Sequence, residues 1–235
     1  MTDALAERAA RPWPGDAATG SPGAGRAVAG AGPKGRAIAA AALRLFLHDG
    51  YERTSVDAIA AEAGVSKRTI YSRYGDKENL FLSVLREYYL AMMATFAEIA
   101  EAHLGEARLA EGARDVQQDL AAFVREVTAR VTTAPGRTAL VRLILAEAPF
   151  FPALVRQEMG PQTMHGTIER GLARLAAAGR LDISDPGEAA EHLLALTTNQ
   201  INARTLFGIV PMSDAGLDRL ITGGVAAFVR AYRPA

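Results

Sequence analysis

The chain has 235 residues, of which 49% are hydrophobic, and this is enough apolar material to bury a sizeable core. Lys and Arg together number 26, as do Asp and Glu, which excludes a strong overall field that would draw the chain to nucleic acid or a membrane. The absence of cysteine excludes disulfides, thiolate nucleophiles and cysteine-ligated metals, and no stretch approaches the roughly 18 uncharged apolar residues that span a bilayer. We therefore expect a soluble cytoplasmic protein with no membrane partner.

Residues 1–33 are predicted to form a disordered tail. Ala, Gly and Pro dominate this segment, and it has few large apolar groups to offset the entropy of ordering. A candidate basic arm for DNA phosphates consists of Arg26, Lys34 and Arg36.

The first helix is predicted to begin at Lys34. Its apolar residues recur every three or four positions and form one stripe, made of Ile38, Ala41, Ala42, Leu45 and Phe46. We expect the helix to end at Gly50, because glycine enters the left-handed region without a Cβ penalty.

Residues 54–74 have the pattern of a helix-turn-helix. Thr54 or Ser55 can cap a short first helix, and Gly64 supplies the positive φ that the turn requires. Ser66 can cap the second helix, on which Ile70 faces inward. A pair of helices joined in this way places its second helix in the major groove of DNA.

The outward face of the second helix is rich in hydrogen-bond donors, and no acidic residue lies between Glu62 and Asp76. The outward side chains are Lys67, Arg68, Thr69, Tyr71, Ser72 and Arg73. Such donors suit the major groove and its phosphates, whereas a merely solvated helix face usually mixes acids with bases. Residues 34–77 also hold eight basic and five acidic side chains. The pattern favours DNA binding over simple helix packing.

About 45 residues, from Ala37 to Leu80, carry a series of spaced motifs. These are Ala42-Leu43-Arg44-Leu45-Phe46, Gly50-Tyr51, Thr54-Ser55-Val56, Ile59-Ala60, Ala63-Gly64-Val65-Ser66, Thr69-Ile70-Tyr71, Tyr74 and Asp76-Lys77-Glu78-Asn79-Leu80. In this spacing they resemble the N-terminal signature of the TetR family of transcriptional regulators. The resemblance implies an all-α fold, with a three-helix DNA-binding domain at 34–78 and a helical regulatory and dimerisation domain at 79–235.

The resemblance also implies roles at DNA for individual residues. The residues expected to face base edges are Lys67, Arg68 and Ser72. Those expected on phosphates are Thr54, Ser55, Tyr71 and Lys77, with Thr69 in either role and Arg73 completing the outward donors. The charge of Lys77 opposes the dipole of the helix that it opens, so a phosphate partner explains it better than stability does, and Asp76 is the better-placed cap.

Beyond residue 80, almost every segment again has the period of an amphipathic helix. The predicted helices are 77–103, 113–132, 137–147, 152–177, 186–207 and 213–231, separated by glycine and proline breaks.

The last two predicted helices are the expected dimer interface. Residues 142–152 are similar to a C-terminal domain of one TetR subgroup, and in the family the last two long helices of each subunit form a four-helix interface. Here these helices are 186–207 and 213–231, which carry more apolar surface than one helical layer should leave exposed. A homodimer would place two reading helices about 34 Å apart and would predict a palindromic operator.

The resemblance further implies a small-molecule pocket between the central helices. Its candidates are Met92, Phe96, Phe123, Val127, Leu143, Glu147, Phe151, Met164, His165, Ile168 and Asn199. The apolar candidates are also what an ordinary core contains. The polar run from Thr197 to Gln200 is unusual inside a helix and is expected at the surface, across a dimer or along a cavity.

Together these features predict a sequence-specific DNA-binding regulator, a repressor that a small, mainly apolar effector releases from its palindromic operator. The alternative is an all-helical homodimeric interaction module without sequence-specific DNA binding. We expect no enzymatic activity, no metal and no cofactor, because no nucleophile elbow, phosphate loop or metal-binding histidine pair occurs in the sequence.

Overall fold

The computed structural model describes residues 32–110, 115–133, 135–147 and 164–234. Within these ranges the chain is helical and contains no strand, in agreement with the all-α prediction. The helices are α1 (Pro33–Asp49), α2 (Val56–Ala63), α3 (Lys67–Tyr74), α4 (Lys77–Leu104), α5 (Glu106–Ala110), α6 (Val116–Val127), α7 (Pro135–Glu147), α8 (Met164–Ala177), α9 (Pro186–Leu196), α10 (Thr198–Thr205) and α11 (Asp214–Ala231). A π-helical turn, Thr128–Thr132, follows α6. The predictions for residues 1–31, for 148–163 and for Phe151 lie outside the described residues.

The chain divides into two compact units. The described part of the first unit comprises residues 32–91 and 142–147, and that of the second comprises 92–141 and 164–234, with the gaps already given. Helices α4 and α7 each contribute residues to both units.

The first unit has a small aromatic core. The Phe46 and Phe81 ring centroids lie 4.9 Å apart in an edge-to-face arrangement, and the Tyr51 ring lies 4.8 Å from that of Phe81. Ile59 and Ile70 are fully buried and anchor α2 and α3 in this unit. The three helices of the predicted DNA-binding domain are thus fixed by a few large side chains.

The second unit is built from longer helices around the buried side chains of Phe96, Phe123, Leu172, Leu193 and Phe228. The sequence pattern explains which face of helix α6 is buried, because its buried residues recur at helical spacing from Leu120 to Val127.

The prediction of one continuous helix over 186–207 is wrong. The chain leaves helical geometry at Thr197, whose φ of −125° and ψ of −89° separate α9 from α10. The Thr197 hydroxyl donates a hydrogen bond of 2.6 Å to the carbonyl of Leu193. Gly224 of α11 approaches so closely that a Cβ there would clash with the Leu196 carbonyl oxygen. Helix α11 thus packs directly against the break, a contact that the local sequence does not reveal.

One segment, Lys77–Leu109, is long and apolar enough to cross a membrane by length and composition alone, with a mean hydropathy of 1.2 in its most apolar window. Of that window, 39% is buried within the protein. A core helix has the same composition, so this segment is weak evidence for a membrane span.

Candidate nucleic-acid interface

The residues predicted from the sequence cap the helices of the helix-turn-helix and form its turn. The Ser55 hydroxyl accepts a hydrogen bond from the Ala58 N–H (3.1 Å), and the Ser66 hydroxyl accepts one from the Thr69 N–H (3.2 Å). Gly64 has a φ of 64° and lies in the left-handed region, as the turn requires. These local contacts fix where α2 ends and where α3 begins.

Helix α3 turns nearly all of its side chains away from the core. Of its eight residues only Ile70 is buried, and Tyr71 is 42% exposed. The other exposed residues of the helix are Lys67, Arg68, Ser72 and Arg73, while Thr69 is partly buried. The predicted reading surface therefore exists as a continuous outward face of cations, hydroxyls and one phenol.

An open groove of about 570 Å³ runs beside this face. It is lined by Lys34, Gly35 and Ile38 from α1 and by Ser66, Arg68, Thr69, Ser72 and Arg73. Three cations and three hydroxyls line it, without a carboxylate. The structure thus brings four of the predicted DNA-binding residues together with Lys34, in a concave surface suited to the anionic backbone of DNA.

Lys67 does not line this groove, and its ammonium binds another side chain. Its Nζ donates a 2.9 Å hydrogen bond to the Asp57 carboxylate of α2, and the two form an exposed ion pair. The hydrogen bond to Asp57 raises the pKa of Lys67 above its ordinary value. The cation nearest the N-terminus of the reading helix is therefore tethered to the preceding helix.

Thr54 is not brought to this surface. Its side chain is 2% exposed, and its hydroxyl donates to the Gly50 carbonyl at 2.7 Å, with the Leu45 carbonyl at 3.2 Å. The structure corrects the expectation of a phosphate contact by this side chain, because the hydroxyl closes the end of α1 instead. Ser55 next to it remains exposed while capping α2.

Lys77 has partners within the protein. Its Nζ lies 4.3 Å from the Tyr51 ring centroid and donates to the Glu52 carbonyl at 3.2 Å. Lys77 therefore has a stabilising role that the sequence did not indicate, since a cation over an aromatic face is attractive. Asp76 does cap α4, accepting from the Asn79 N–H at 2.7 Å, as predicted.

The geometry of α1–α3 agrees with what comparison to known proteins finds. The family profile of bacterial regulatory proteins of the TetR family matches residues 38–84, and that of the C-terminal domain of AefR-like transcriptional repressors matches residues 118–234. The solved structure of the flavonoid-responsive regulator FrrA is 30% identical, with a TM-score of 0.65, and the match covers 87% of this chain and 100% of that one. The chain belongs to the TetR family.

Other transcriptional regulators are similar over most of their length. A TetR-family transcriptional regulator from Mesorhizobium loti is 29% identical, with a TM-score of 0.71 and coverage of 85% of this chain and 96% of that one. The regulator YezE of Bacillus subtilis is 27% identical over 183 residues, covering 76% of this chain and 86% of its own. The protein is accordingly a DNA-binding transcriptional regulator and not an enzyme.

The second unit of this TetR-family regulator contains a small, partly enclosed cavity of about 10 Å³, roughly the room that one water needs. Its lining consists of Phe96, Phe123, Val124, Val127, Met164, Ile168, Leu193, Leu194, Thr197 and Thr198. Five predicted pocket residues are in this set, namely Phe96, Phe123, Val127, Met164 and Ile168. Two hydroxyls are its polar side-chain groups, and it contains no charge.

The remaining predicted pocket residues lie elsewhere. Leu143 and Glu147 are buried in the first unit, Met92 is half-buried outside the lining, and Asn199 is exposed. The ring of His165 is half-buried, with its Nε2 3.9 Å from the Glu191 carboxylate.

Thr197 and Thr198 line this cavity, and the sequence had indicated a cavity as one of three possible surroundings for the polar run from Thr197 to Gln200. Both belong to the polar run that is unusual inside a helix, and both are buried, at 1% and 5% exposure. Asn199 and Gln200 of the same run are exposed. Within this polar run, Thr197 and Thr198 therefore lie at the cavity, and Asn199 and Gln200 lie at the surface.

The helices expected at the dimer interface divide their apolar residues between two environments. Leu193, Ile201, Ile221, Val225 and Phe228 are buried within one protomer. Exposed large apolar residues gather around α10 and the loop after it, at Leu196, Leu206, Ile209 and Val210. The loop itself is unusual, because Leu206 and Phe207 both have positive φ, at 47° and 54°.

Proposed function

We propose that this protein represses transcription by binding a palindromic operator as a homodimer and leaves the operator when a small, mainly apolar molecule enters the second unit. The observation that carries the proposal is the outward face of α3, which presents only donors beside a groove lined by cations and hydroxyls. Similarity to the C-terminal domain of AefR-like repressors supports repression rather than activation.

At the operator, α3 would lie in the major groove. Arg68 and Ser72 would face base edges, and Tyr71 with Arg73 would hold the backbone, because a helix-turn-helix reads bases from the N-terminal part of its second helix. Lys34 would add a phosphate contact from α1, since it shares the groove with these residues.

Dimerisation would use α9, α10 and α11. The exposed apolar residues Leu196, Leu206, Ile209 and Val210 form the kind of patch that a monomer rarely leaves in water. A two-fold axis at these helices would pair two reading helices and would explain a palindromic site. The working protein would be cytoplasmic, and its membership of a family of DNA-binding regulators supports this location.

The effector would be neutral and largely apolar. The cavity lining has three aromatic or sulfur-containing groups, Phe96, Phe123 and Met164, and two threonine hydroxyls. FrrA is named for its response to flavonoids, which supports a flat aromatic compound as the first class to test here. A cavity of about 10 Å³ must enlarge to admit such a compound, so binding is coupled to rearrangement of the helices around it.

The DNA part of the proposal is tested by selecting bound duplexes from a random pool at about 150 mM salt, where contacts to phosphates alone are weakened. We expect the wild type to enrich a palindrome and Tyr71→Ala to lose the enrichment with an unchanged melting temperature. Leu90→Ala is the matched control, because Leu90 is 53% exposed outside the reading surface. A folded wild-type dimer that enriches no sequence would contradict the proposal.

The effector part is tested with a neutral flavonoid added to the operator complex. We expect it to release the wild type and raise the melting temperature of the free protein. Leu194→Phe should abolish both effects without weakening operator binding, because the larger ring occupies the cavity from a half-buried position. Equal responses of wild type and variant would exclude this cavity as the effector site.

A further inference from the structure

The ion pair between Lys67 and Asp57 brings a carboxylate to the reading surface. Both side chains are well exposed, at 48% and 70%, and the N–O distance is 2.9 Å. Arg68 and Arg73 of the same helix instead line the carboxylate-free groove. A single cation of the reading helix is thus held by an acid from α2.

Stability is a weak reason for this arrangement. Exposed ion pairs contribute about 0–1 kcal/mol, because water screens the charges and both side chains lose freedom. Asp57 also lies in the first turn of α2, where a negative charge favours the helix dipole. That contribution requires a carboxylate at this position, but it requires no lysine ten residues later.

The carboxylate matters more when DNA approaches. A phosphate offers only acceptors and a negative charge, so it attracts Lys67 but is repelled by Asp57. A base edge in the major groove can satisfy both groups, because guanine presents acceptors to a lysine while cytosine or adenine presents an amino group to a carboxylate. The pair therefore discriminates between the two kinds of DNA surface.

We propose that Asp57 is a specificity-determining residue, which holds the Lys67 ammonium at 2.9 Å and keeps it from serving as a phosphate contact. The pair then binds favourably where an acceptor and an amino group lie side by side in the major groove. This inference rests on the proposed function, since it assumes that α3 reads an operator. Asp57 acts through Lys67 and is in that sense a positioning residue.

The test is Asp57→Asn, which keeps the shape of the side chain and removes its charge. Glu62→Gln is the matched control, because Glu62 lies on the same helix as Asp57 and forms an ion pair of 2.8 Å with Arg44 of α1, outside the predicted reading set. Affinities for the selected operator and for a random duplex are measured by fluorescence anisotropy across a salt series, and folding is checked by thermal denaturation.

We expect Asp57→Asn to bind the random duplex on the order of fivefold more tightly, with a salt slope steeper by about one, because Lys67 gains a phosphate. The ratio of operator to random affinity should fall by about tenfold. In a Lys67→Ala background, Asp57→Asn should leave the salt slope unchanged, because the lysine through which it acts is gone.

If Asp57→Asn and Glu62→Gln shift both affinities by the same factor with equal salt slopes, Asp57 is an ordinary surface charge and the inference is overturned. A wild type without any preferred duplex would instead overturn the proposed function, and with it the specificity role. The random-duplex series would still separate the two failures, since a steeper slope for Asp57→Asn alone shows that the carboxylate opposes phosphate contact.

Discussion

In the first unit, polar side chains close the ends of short helices at the surface, whereas in the second unit several threonines lie deep inside. Ser55 and Ser66 are exposed while they cap α2 and α3, but Thr132 and Thr197 are exposed by only 2% and 1%. The caps bond to backbone groups a few residues away, and the Thr197 hydroxyl likewise bonds to the Leu193 carbonyl four residues earlier, so the two sets differ in burial and not in the range of their hydrogen bonds. Outward substitutions in the first unit should therefore change DNA binding, and inward substitutions in the second should change stability.

The largest effect is expected for Phe96→Ala in the second unit. Phe96 is fully buried, and its ring lies 5.9 Å from that of Phe123. Removing a buried aromatic ring leaves a cavity, so we expect the free energy of unfolding to fall by about 3–5 kcal/mol. Urea denaturation measures the change, with exposed Leu90→Ala as the control, and a loss below 1 kcal/mol would contradict the packing described here.

Two adjacent glycines of α11 sharpen the comparison further. Gly224→Ala should destabilise the protein by about 3 kcal/mol, because the new Cβ would clash with the Leu196 carbonyl. Gly223→Ala should stabilise the protomer by up to about 1 kcal/mol, because the new Cβ would meet no described atom within 4 Å beyond its own helix and alanine is the better helix former. Equal melting temperatures for the two variants would show that α11 does not pack on the helix break as described.

Arg68→Ala should lower DNA affinity and leave stability unchanged, unlike the substitutions in the second unit. Its side chain lines the open groove of the first unit, so we expect operator binding to weaken by about 2 kcal/mol with no change in melting temperature. Anisotropy titration with the selected operator measures the first quantity and calorimetry the second. If the melting temperature fell along with the operator affinity, the Arg68 side chain would also stabilise the fold.

Thr54→Val tests an exception to the contrast between the two units, because Thr54 belongs to the first unit but is buried. Loss of its hydrogen bond to the Gly50 carbonyl should lower the free energy of unfolding by about 1 kcal/mol without a change in salt slope. Thr54→Ser retains the hydroxyl and is the control. A flatter salt slope with unchanged stability would restore the phosphate role predicted from the sequence.

The smallest effect is expected for Glu126→Gln in the second unit. Hydrogen bonds from His103 and Arg130 lower the pKa of Glu126, so the ionised form stabilises the folded state. This stability is present above the unfolded pKa and is lost as pH falls through the lower folded pKa. Because the carboxylate is 36% exposed, we expect less than about 1 kcal/mol at pH 7. Stability curves of variant and wild type should therefore converge only when the pH falls below the lowered pKa of Glu126 in the folded state.

The sequence predicted the first unit well because its rules are local. Gly50 and Gly64 have positive φ, Ser55 and Ser66 cap their helices, and Ile70 faces inward, each for reasons visible within a few residues. The positions of Thr54 and Lys77 were not predictable in this way. The Tyr51 ring lies 26 residues before Lys77 and becomes its neighbour only when the chain folds back on itself. The Gly50 carbonyl is only four residues from Thr54, but the burial of Thr54 depends on the packing of the whole unit.

The second unit was predicted as a set of helices but not in its internal detail. The break at Thr197 packs against Gly224, 27 residues away in sequence, and no helix-stop residue marks it. Large apolar residues such as Phe96 and Phe123 were found because cavities and cores use the same side chains. For the same reason their pattern could not distinguish a lining residue such as Ile168 from Leu143, which is buried in the first unit.

The single buried residue of α3 has a consequence for how such a protein diversifies. Ile70 alone ties the eight-residue helix to the core, and the glycines at either end of the motif, Gly64 and Gly75, hold its length. Thr69 and Tyr74 are partly buried, but the five exposed positions are then free to change without rebuilding the scaffold, namely Lys67, Arg68, Tyr71, Ser72 and Arg73. A duplicated copy of the gene can acquire a new operator specificity through a few codon changes in α3, while the rest of the protein keeps its sequence.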